Sequence, residues 1–390
     1  MSNGRQSEFA VVASFASVRR RPWRVAVAAG LAVLALSGCT SAGYYWQAVN
    51  GHLRVLLAAR PVDDWLVSPQ TPEALRERLR QAQQMRVWGV AYLQLPDTAS
   101  YTRYADVGRP YVVWNVVAAP PDSLTPKSWC FPVAGCVGYR GYYHEADARA
   151  EAAALEAEGL EVTVYGVPAY STLNWLNWLG GDPLLNTFAA YPAGELARLM
   201  FHEMAHQVLY VEGDTAFNES FATAVERLGV QQWLAQHASP AMRADYQAGE
   251  RRRREFRALT RDTRAALTAI YEQKSTQPSV ERSFLAMKMK VMATFRGRYE
   301  GLKSGWQVDA ARLRGYDAWV ARANNASFSA QAAYDELVPG FEALYARQGP
   351  PSPQAWRGFY DAVKQLAQQP PEQRLRALKE PQLVSHSHPP

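Results

Sequence analysis

The spacing of apolar residues predicts a chain that is mostly helical, with a few short strands. Tyr111-Val-Val-Trp-Asn-Val-Val117 is β-branched and aromatic between Pro110 and Pro120 and predicts a strand. Leu160 to Tyr165 alternates with period two, the mark of a half-buried strand. Helices are predicted from Pro72, behind Thr71 as N-cap, to Met85 or beyond, and from Glu145 to Glu158, where Gly159 stops the helix. Further helical stretches run from Tyr191 to about Val211, Thr215 to about Gln236, Pro240 to Gln273 and Val280 to Lys303, the last two as a hairpin. Arg322–Tyr345 and Gln354–Gln369 complete the series, and no internal repeat is present. The expected class is α+β, predominantly helical, with a small mixed sheet and a helical C-terminal part.

The N-terminus reads differently. Arg19-Arg-Arg-Pro-Trp-Arg24 precedes a twelve-residue apolar run, Val25–Leu36, which is short for a membrane span and suits the core of a signal peptide. The run ends in Leu36-Ser-Gly-Cys39, which resembles the lipobox of bacterial lipoproteins. That resemblance implies cleavage before Cys39, lipidation of Cys39, and a membrane anchor of several acyl chains. Thr40 follows, so no aspartate marks inner-membrane retention, and the outer membrane facing the periplasm of a Gram-negative bacterium is the expected site. In that oxidising compartment Cys130 and Cys136, between turn formers, are expected to form a small disulfide loop, with a metal pair as the competing reading.

Removing the leader also changes the charge. The whole chain carries +6, but residues 1–38 hold five arginines and one glutamate, leaving 37 basic against 35 acidic residues, about +2. That balance gives no basis for a nucleic-acid partner. The 48% hydrophobic content belongs to a globular protein and excludes a disordered chain. The expected organisation is a signal peptide at 1–38, an anchor and linker at 39–70, a catalytic core at 71–237, a helical part completing the cleft at 238–370, and a disordered tail at 371–390.

The candidate chemistry lies in His202-Glu203-Met-Ala-His206, an H-E-x-x-H pattern inside a predicted helix. Residues four apart share a helix face, so both imidazoles can reach one Zn²⁺, and Glu203 beside them can take a proton from the attacking water. Thirteen residues after His206, Asn218-Glu219-Ser-Phe-Ala222 follows the turn at Glu212-Gly-Asp214 and offers Glu219 as the third ligand. Glu212 and Glu226 are rival ligands. Glu226, seven residues beyond Glu219, is assigned to hold a histidine N–H, and Thr223 is placed in the same supporting role. Manganese or cobalt could take the site of the single zinc ion in vitro. The bland alternative makes His202 and His206 core histidines and Glu203 a surface charge.

The His–Glu arrangement resembles the gluzincin metallopeptidases, in which a glutamate of an N-E-x-x-A-like segment on the following helix completes the zinc site. Together with the lipobox, the Cys130–Cys136 loop, Asn324-Asn-Ala326 and Tyr334–Pro339, the chain is similar to the predicted aminopeptidases of Gram-negative bacteria. The likeness covers roughly Cys39–Tyr345. It implies a zincin-like core, a peptide or protein substrate, His202, His206 and Glu219 as metal ligands, and Glu203 as catalytic base. The Gly-x-Met-x-Asn segment by which better-known aminopeptidases hold the substrate amine is absent from the sequence. Two other readings stay open: a non-catalytic envelope lipoprotein with a metal-stabilised fold, and a quality-control endopeptidase.

Several features are weaker. Val162–Tyr165 is the candidate rim strand for substrate, and Tyr316, Tyr170 and Tyr142 are candidate oxyanion donors among which sequence does not choose. Asn324-Asn325 could line the cleft. Arg251–Arg254, interleaved with Glu250 and Glu255, reads as a solvated helix face rather than a lipid-docking patch.

Overall fold

The computed structural model describes residues 43–131, 135–170, 180–276, 281–332 and 337–379. The leader, the expected lipidation site Cys39, Tyr334–Glu336 and the end of the tail lie outside the described residues. Residues 43–49, the described part of a first unit, are helical. Everything that follows concerns the second unit, Asn50–Pro390. No described helix is long and apolar enough to cross a membrane.

In chain order this unit begins with a helix over residues 50–58 (α1), strand β1 (Arg60–Pro61), and helices α2 (Val62–Val67) and α3 (Glu73–Ala91). Strands β2 (Arg103–Ala105) and β3 (Val113–Ala119) precede a hairpin of β4 (Trp129–Phe131) and β5 (Gly135–Val137). Then come β6 (Arg140–Tyr142), α4 (Glu145–Ala157), β7 (Glu161–Val167), β8 (Leu184–Leu185) and α5 (Asn186–Ala189). The remainder is helical: α6 (Ala193–Ala205), α7 (Thr215–His237), α8 (Pro240–Thr276), α9 (Glu281–Trp306) and α10 (Ala310–Arg322). It closes with α11 (Asn325–Ala332), α12 (Val338–Ala346), α13 (Pro353–Ala367) and α14 (Pro371–Lys379).

The strands make three small sheets, and the fold is predominantly helical α+β. The mixed sheet runs β1-β2-β8, with β1 and β2 antiparallel and β2 and β8 parallel. A second, wholly antiparallel sheet runs β6-β3-β7, with Asn115 opposite Tyr165 and Val117 opposite Thr163. Its central strand, β3, is buried from Trp114 onward, because both α4 and α11 pack against it. Strand β7 is half-buried at every position rather than alternating, as suits an edge strand whose outer side is only partly covered. The third sheet is the β4–β5 hairpin, closed by the Cys130–Cys136 disulfide.

Two apolar cores dominate the described residues. The larger gathers α3, α6, α7, α12 and α13 around Phe201, Phe217, Phe221, Phe341, Trp356 and Phe359. The smaller lies in the α8–α9 hairpin with α10 and α11, around Phe256, Phe295, Tyr299, Trp306 and Phe328. Helix α13 shows why such a stretch folds as it does. Ala355, Trp356, Phe359, Tyr360, Val363 and Leu366 recur at helical spacing and are all buried, and Ser352 caps the start through the Ala355 N–H.

Some boundaries differ from those expected. Pro72, not Thr71, is the N-cap of α3, and Thr71 is buried while its carbonyl accepts from Arg76. Helix α6 ends at Ala205, six residues short of the expected Val211, because the chain must turn early to bring α7 back along it. The stretch Arg322–Tyr345 is not one helix. Asn324 Oδ1 accepts from Ser327 N and starts α11 there, while Pro339 lies in the first turn of α12. The expected tail from 371 instead begins with helix α14. Its Arg374 is buried and donates to Asp214 Oδ2 at 2.7 Å, fastening the C-terminus to the α6–α7 turn.

Gly340 on α12 permits this docking, since a Cβ there would meet the Leu378 carbonyl oxygen at 2.2 Å. Because backbone cannot step aside as a side chain can, Gly340→Ala is expected to cost about 1–3 kcal/mol despite its better helix propensity. A thermal melt checks this; an unchanged or raised Tm would show that α14 is not held in this way.

Candidate functional site

Helix α6 carries the paired histidines, and its packing fixes which way they face. Leu196, Leu199, Met200, Phe201 and Met204 are buried, and the Phe201 ring lies against Gly89 of α3 and Gly229 of α7. With that face committed to the core, His202 and Glu203 line a cleft of about 600 Å³. His206 sits at the C-cap with helical backbone angles, so the four-residue spacing still places both imidazoles together, their centroids 5.0 Å apart.

The turn after α6 delivers Glu219. Asn218 clamps it at both backbone groups of one residue: Nδ2 donates to the Val211 carbonyl at 2.7 Å, and Oδ1 accepts from Val211 N at 2.8 Å. Gly213 takes a φ of +74°, which favours glycine, and Asp214 caps α7 by accepting from Phe217 N at 3.1 Å. Gln207 secures the other end, donating to Ser100 Oγ and accepting from Thr98 Oγ1, each at 2.9 Å. Phe217 and Phe221, two positions either side of Glu219, pack on Phe341, so Glu219 turns toward the histidines.

His202 Nε2 lies 3.3 Å from one Glu219 oxygen, and His206 Nε2 lies 3.8 Å from the other. Ligand atoms of His202, His206 and Glu219 fall within 4.8 Å of one another, and these three residues could hold a metal ion. On the far side of His202, Nδ1 is 3.0 Å from Glu226 Oε2, and Arg198 donates to Glu226 Oε1 at 2.7 Å. This chain from Arg198 to Glu226 to His202 aims Nε2 at Glu219. His206 Nδ1 is buried and has no hydrogen-bond partner among the described residues. Two imidazole nitrogens and a carboxylate oxygen are the donor set of catalytic zinc sites with one position open, so the residues fit that ion.

The electrostatics follow from crowding these groups away from water. Burial pushes the Glu203 carboxyl up to about 7; the charges of Glu219, Asp182 and Glu226 add to the rise, and His202 opposes it. Burial would lower His202, but its bonds to Glu219 and Glu226 outweigh that and raise it to about 10. His206 is lowered to about 4 by burial, against a weaker pull from Glu219. Glu226 is held down at about 2, because Arg198 and His202 together overcome its burial. The cluster gathers two carboxylates around one imidazole, a negative surplus that suits a dication.

The other expected residues separate. Glu212 is exposed at the turn and stands outside the ligand group. Thr223 is buried and lines the cleft, while the carboxylate that reaches a ring nitrogen is that of Glu226. Tyr316 lines the cleft. Tyr170 is engaged by His52 Nδ1 at 2.6 Å, and Tyr142 is buried beneath Arg140. Asn324 and Asn325 do not line the cleft. Asn324 donates to the Val162 carbonyl and Asn325 to those of Pro120 and Ser123, tying the sheet to α11, because buried carbonyls there need donors.

Sequence reasoning missed Arg198, one turn before His202, and the phenols around Glu219. Tyr139, Tyr165 and Tyr210 are all pushed up by burial and by the Glu219 charge, and Tyr139 also feels Glu203. Tyr139 follows the disulfide hairpin, whose Gly135 lies close against Gly213 of the α6–α7 turn. A tyrosine far along the chain has no spacing rule linking it to the histidines, so only the fold reveals it.

A family model described as "Putative aminopeptidase" matches residues 43–378. The chain belongs to this aminopeptidase family. No curated protein and no solved structure matches it. Family membership points to a hydrolase acting on peptides, and the match takes in α6 and α7 with every residue of the cluster.

Metal binding offers a direct check on the geometry. The aminopeptidase-family chain is expected to bind one Zn²⁺, Glu219→Gln to lose it, and Glu226→Gln to bind it about 10–100-fold more weakly. Competition against a chromogenic chelator reads this, and equal affinity in all three proteins would exclude the His202–His206–Glu219 site.

Proposed function

We propose that the protein is a zinc metallopeptidase, and by its family an aminopeptidase, with a zincin-like core. It is lipid-anchored at Cys39 in the periplasm, on the outer membrane. The observation that carries the reading is the meeting of His202, His206 and Glu219, with His202 and the neighbouring Glu203 on the wall of one cleft. When bound, the zinc ion would supply Lewis acidity and lower the pKa of water.

The chain's own residues then have separable tasks. His202, His206 and Glu219 hold the ion, and Glu226, braced by Arg198, fixes the ring orientation of His202. Glu203 accepts the proton of the attacking water and passes it to the leaving amine, and a carboxyl pushed up toward neutrality by burial is suited to doing both. Tyr316 on the cleft wall, and Tyr139, whose phenol feels the charges of Glu219 and Glu203, are the two candidates to donate to the carbonyl oxygen as it gains charge. Strand β7 leads into Pro168 on the cleft wall and supports a role for its outer edge in receiving an extended substrate.

The test is cleavage of a diverse peptide mixture by the full-length protein beside Glu203→Gln, with products read by mass spectrometry. Removal of single N-terminal residues is expected, falling about 10²–10⁴-fold in the variant while zinc content is retained. Internal cuts would keep the peptidase and discard the aminopeptidase. Equal activity of the two proteins, or none in either, would overturn the enzyme in favour of a binding role.

A further inference from the structure

The arginine run Arg251–Arg254 is not a solvated face. Arg251 and Arg254 are exposed, but Arg252 is only 7% exposed and Arg253 is half-buried in ion pairs. Arg252 lines a second pocket of about 320 Å³, whose walls include the first turn of α6 and Tyr246 of α8. The other charges there are matched. Arg253 donates to Glu195 at 2.7 Å and to Glu250 at 3.2 Å, Arg312 to Asp245 at 2.7 Å, and Glu195 also accepts from Arg198 at 3.0 Å. Arg252 makes no hydrogen bond or ion pair with any described residue. Its stem is buried while the guanidinium opens onto the pocket with no carboxylate of its own, so an anion entering the pocket would meet an unpaired fork.

The same pocket receives the N-terminus of α6. Pro192 is its N-cap and supplies no side-chain cap, and Leu196 is the first amide to bond back, to the Pro192 carbonyl. The N–H groups of Ala193, Gly194 and Glu195 therefore have no helical acceptor, and the helix presents its positive end beside Arg252. The pocket and the cleft share a wall, since Arg253, Arg312 and Tyr316 line both. From Gly194 to His202 is eight residues of helix, about 12 Å, which an extended peptide spans in roughly three to four residues.

We infer that this pocket is a carboxylate subsite for short peptides whose amino end lies at His202 and Glu203. The inference rests on the peptidase reading above. One unpaired guanidinium matches the single charge of a carboxylate, which a planar fork can bind at both oxygens. The ligand is the C-terminal carboxylate of a peptide of about four residues, or an acidic side chain at that position, and the enzyme prefers peptides that bring this charge.

Binding separates this from the chemistry. Full-length Glu203→Gln protein, loaded with zinc, is titrated calorimetrically with tetraalanine, its C-terminal amide, and the amide of Ala-Ala-Ala-Asp. Tetraalanine is expected to bind about 10–100-fold more tightly than its amide, a preference lost when Arg252→Gln is added, while amide binding stays within twofold. Recovery of tight binding by the aspartate-bearing amide would assign the site to side chains as well as termini. Arg252→Lys keeps the charge without the fork and is expected to retain part of the preference, which guards against a Gln variant that fails to fold. Equal binding of tetraalanine and its amide to the Arg252 protein would overturn the subsite, whatever the variants do. Acid-selective binding with no turnover by the Glu203 protein would keep the subsite and discard the peptidase reading. Turnover indifferent to amidation would do the reverse.

Discussion

The site depends on the reversal of the chain between α6 and α7. Two histidines four residues apart on a helix come together by covalent geometry alone, but the third donor must be brought back from the next helix. Asn218 does this by bonding both the N–H and the carbonyl of Val211 through its side-chain amide. Its neighbour Glu219 is thereby pointed inward, while Phe217 and Phe221 are pulled into the aromatic core beneath. Arg374 from the C-terminal helix and Gly135 from the disulfide hairpin meet the same turn, so segments far apart in sequence converge on the few residues that fix the carboxylate.

Around this turn the fold solves an electrostatic problem. Glu203, Glu219 and Glu226 lie near one another with water largely excluded, an arrangement that is stable only because the cationic partners are divided among them. Arg198 takes Glu226, and Glu226 in turn holds His202. Glu203 is left without such a partner, so burial controls it and its proton is loosely held near neutral pH. The same logic extends along α8, where Arg253 is neutralised on both sides and Arg252 is not. Charge placement, more than shape, distinguishes the groups that build the cleft from those free to act in it.

Much of this architecture was legible in the sequence. The major helices and both long strands stand near their expected places, because apolar periodicity and Gly or Pro punctuation are local signals. The errors share one cause. Helix α6 stops early so that α7 can return along it, the stretch from Arg322 to Tyr345 divides where Asn324 ties α11 to β7, and Pro371–Lys379 fold into a helix that Arg374 fastens to Asp214. Asn324 and Asn325 were legible as a polar pair, but the carbonyls they satisfy belong to β7 and the loop after β3. Cys39 and the leader stand on sequence alone.

By itself, then, the sequence determined the helical class, the register of His202, Glu203 and His206 on one helix face, and the choice of Glu219 over Glu212 as the more plausible third donor. Those follow from the pitch of a helix and the length of a turn, which neighbouring residues dictate. Only the tertiary structure decided that Arg198 braces Glu226, that Tyr316 lines the cleft, and that Arg252 is buried beside the start of α6. Each of these depends on which surfaces pack together, and a contact between different elements, such as Arg198 with Glu226 twenty-eight residues on, leaves no periodic trace in the chain.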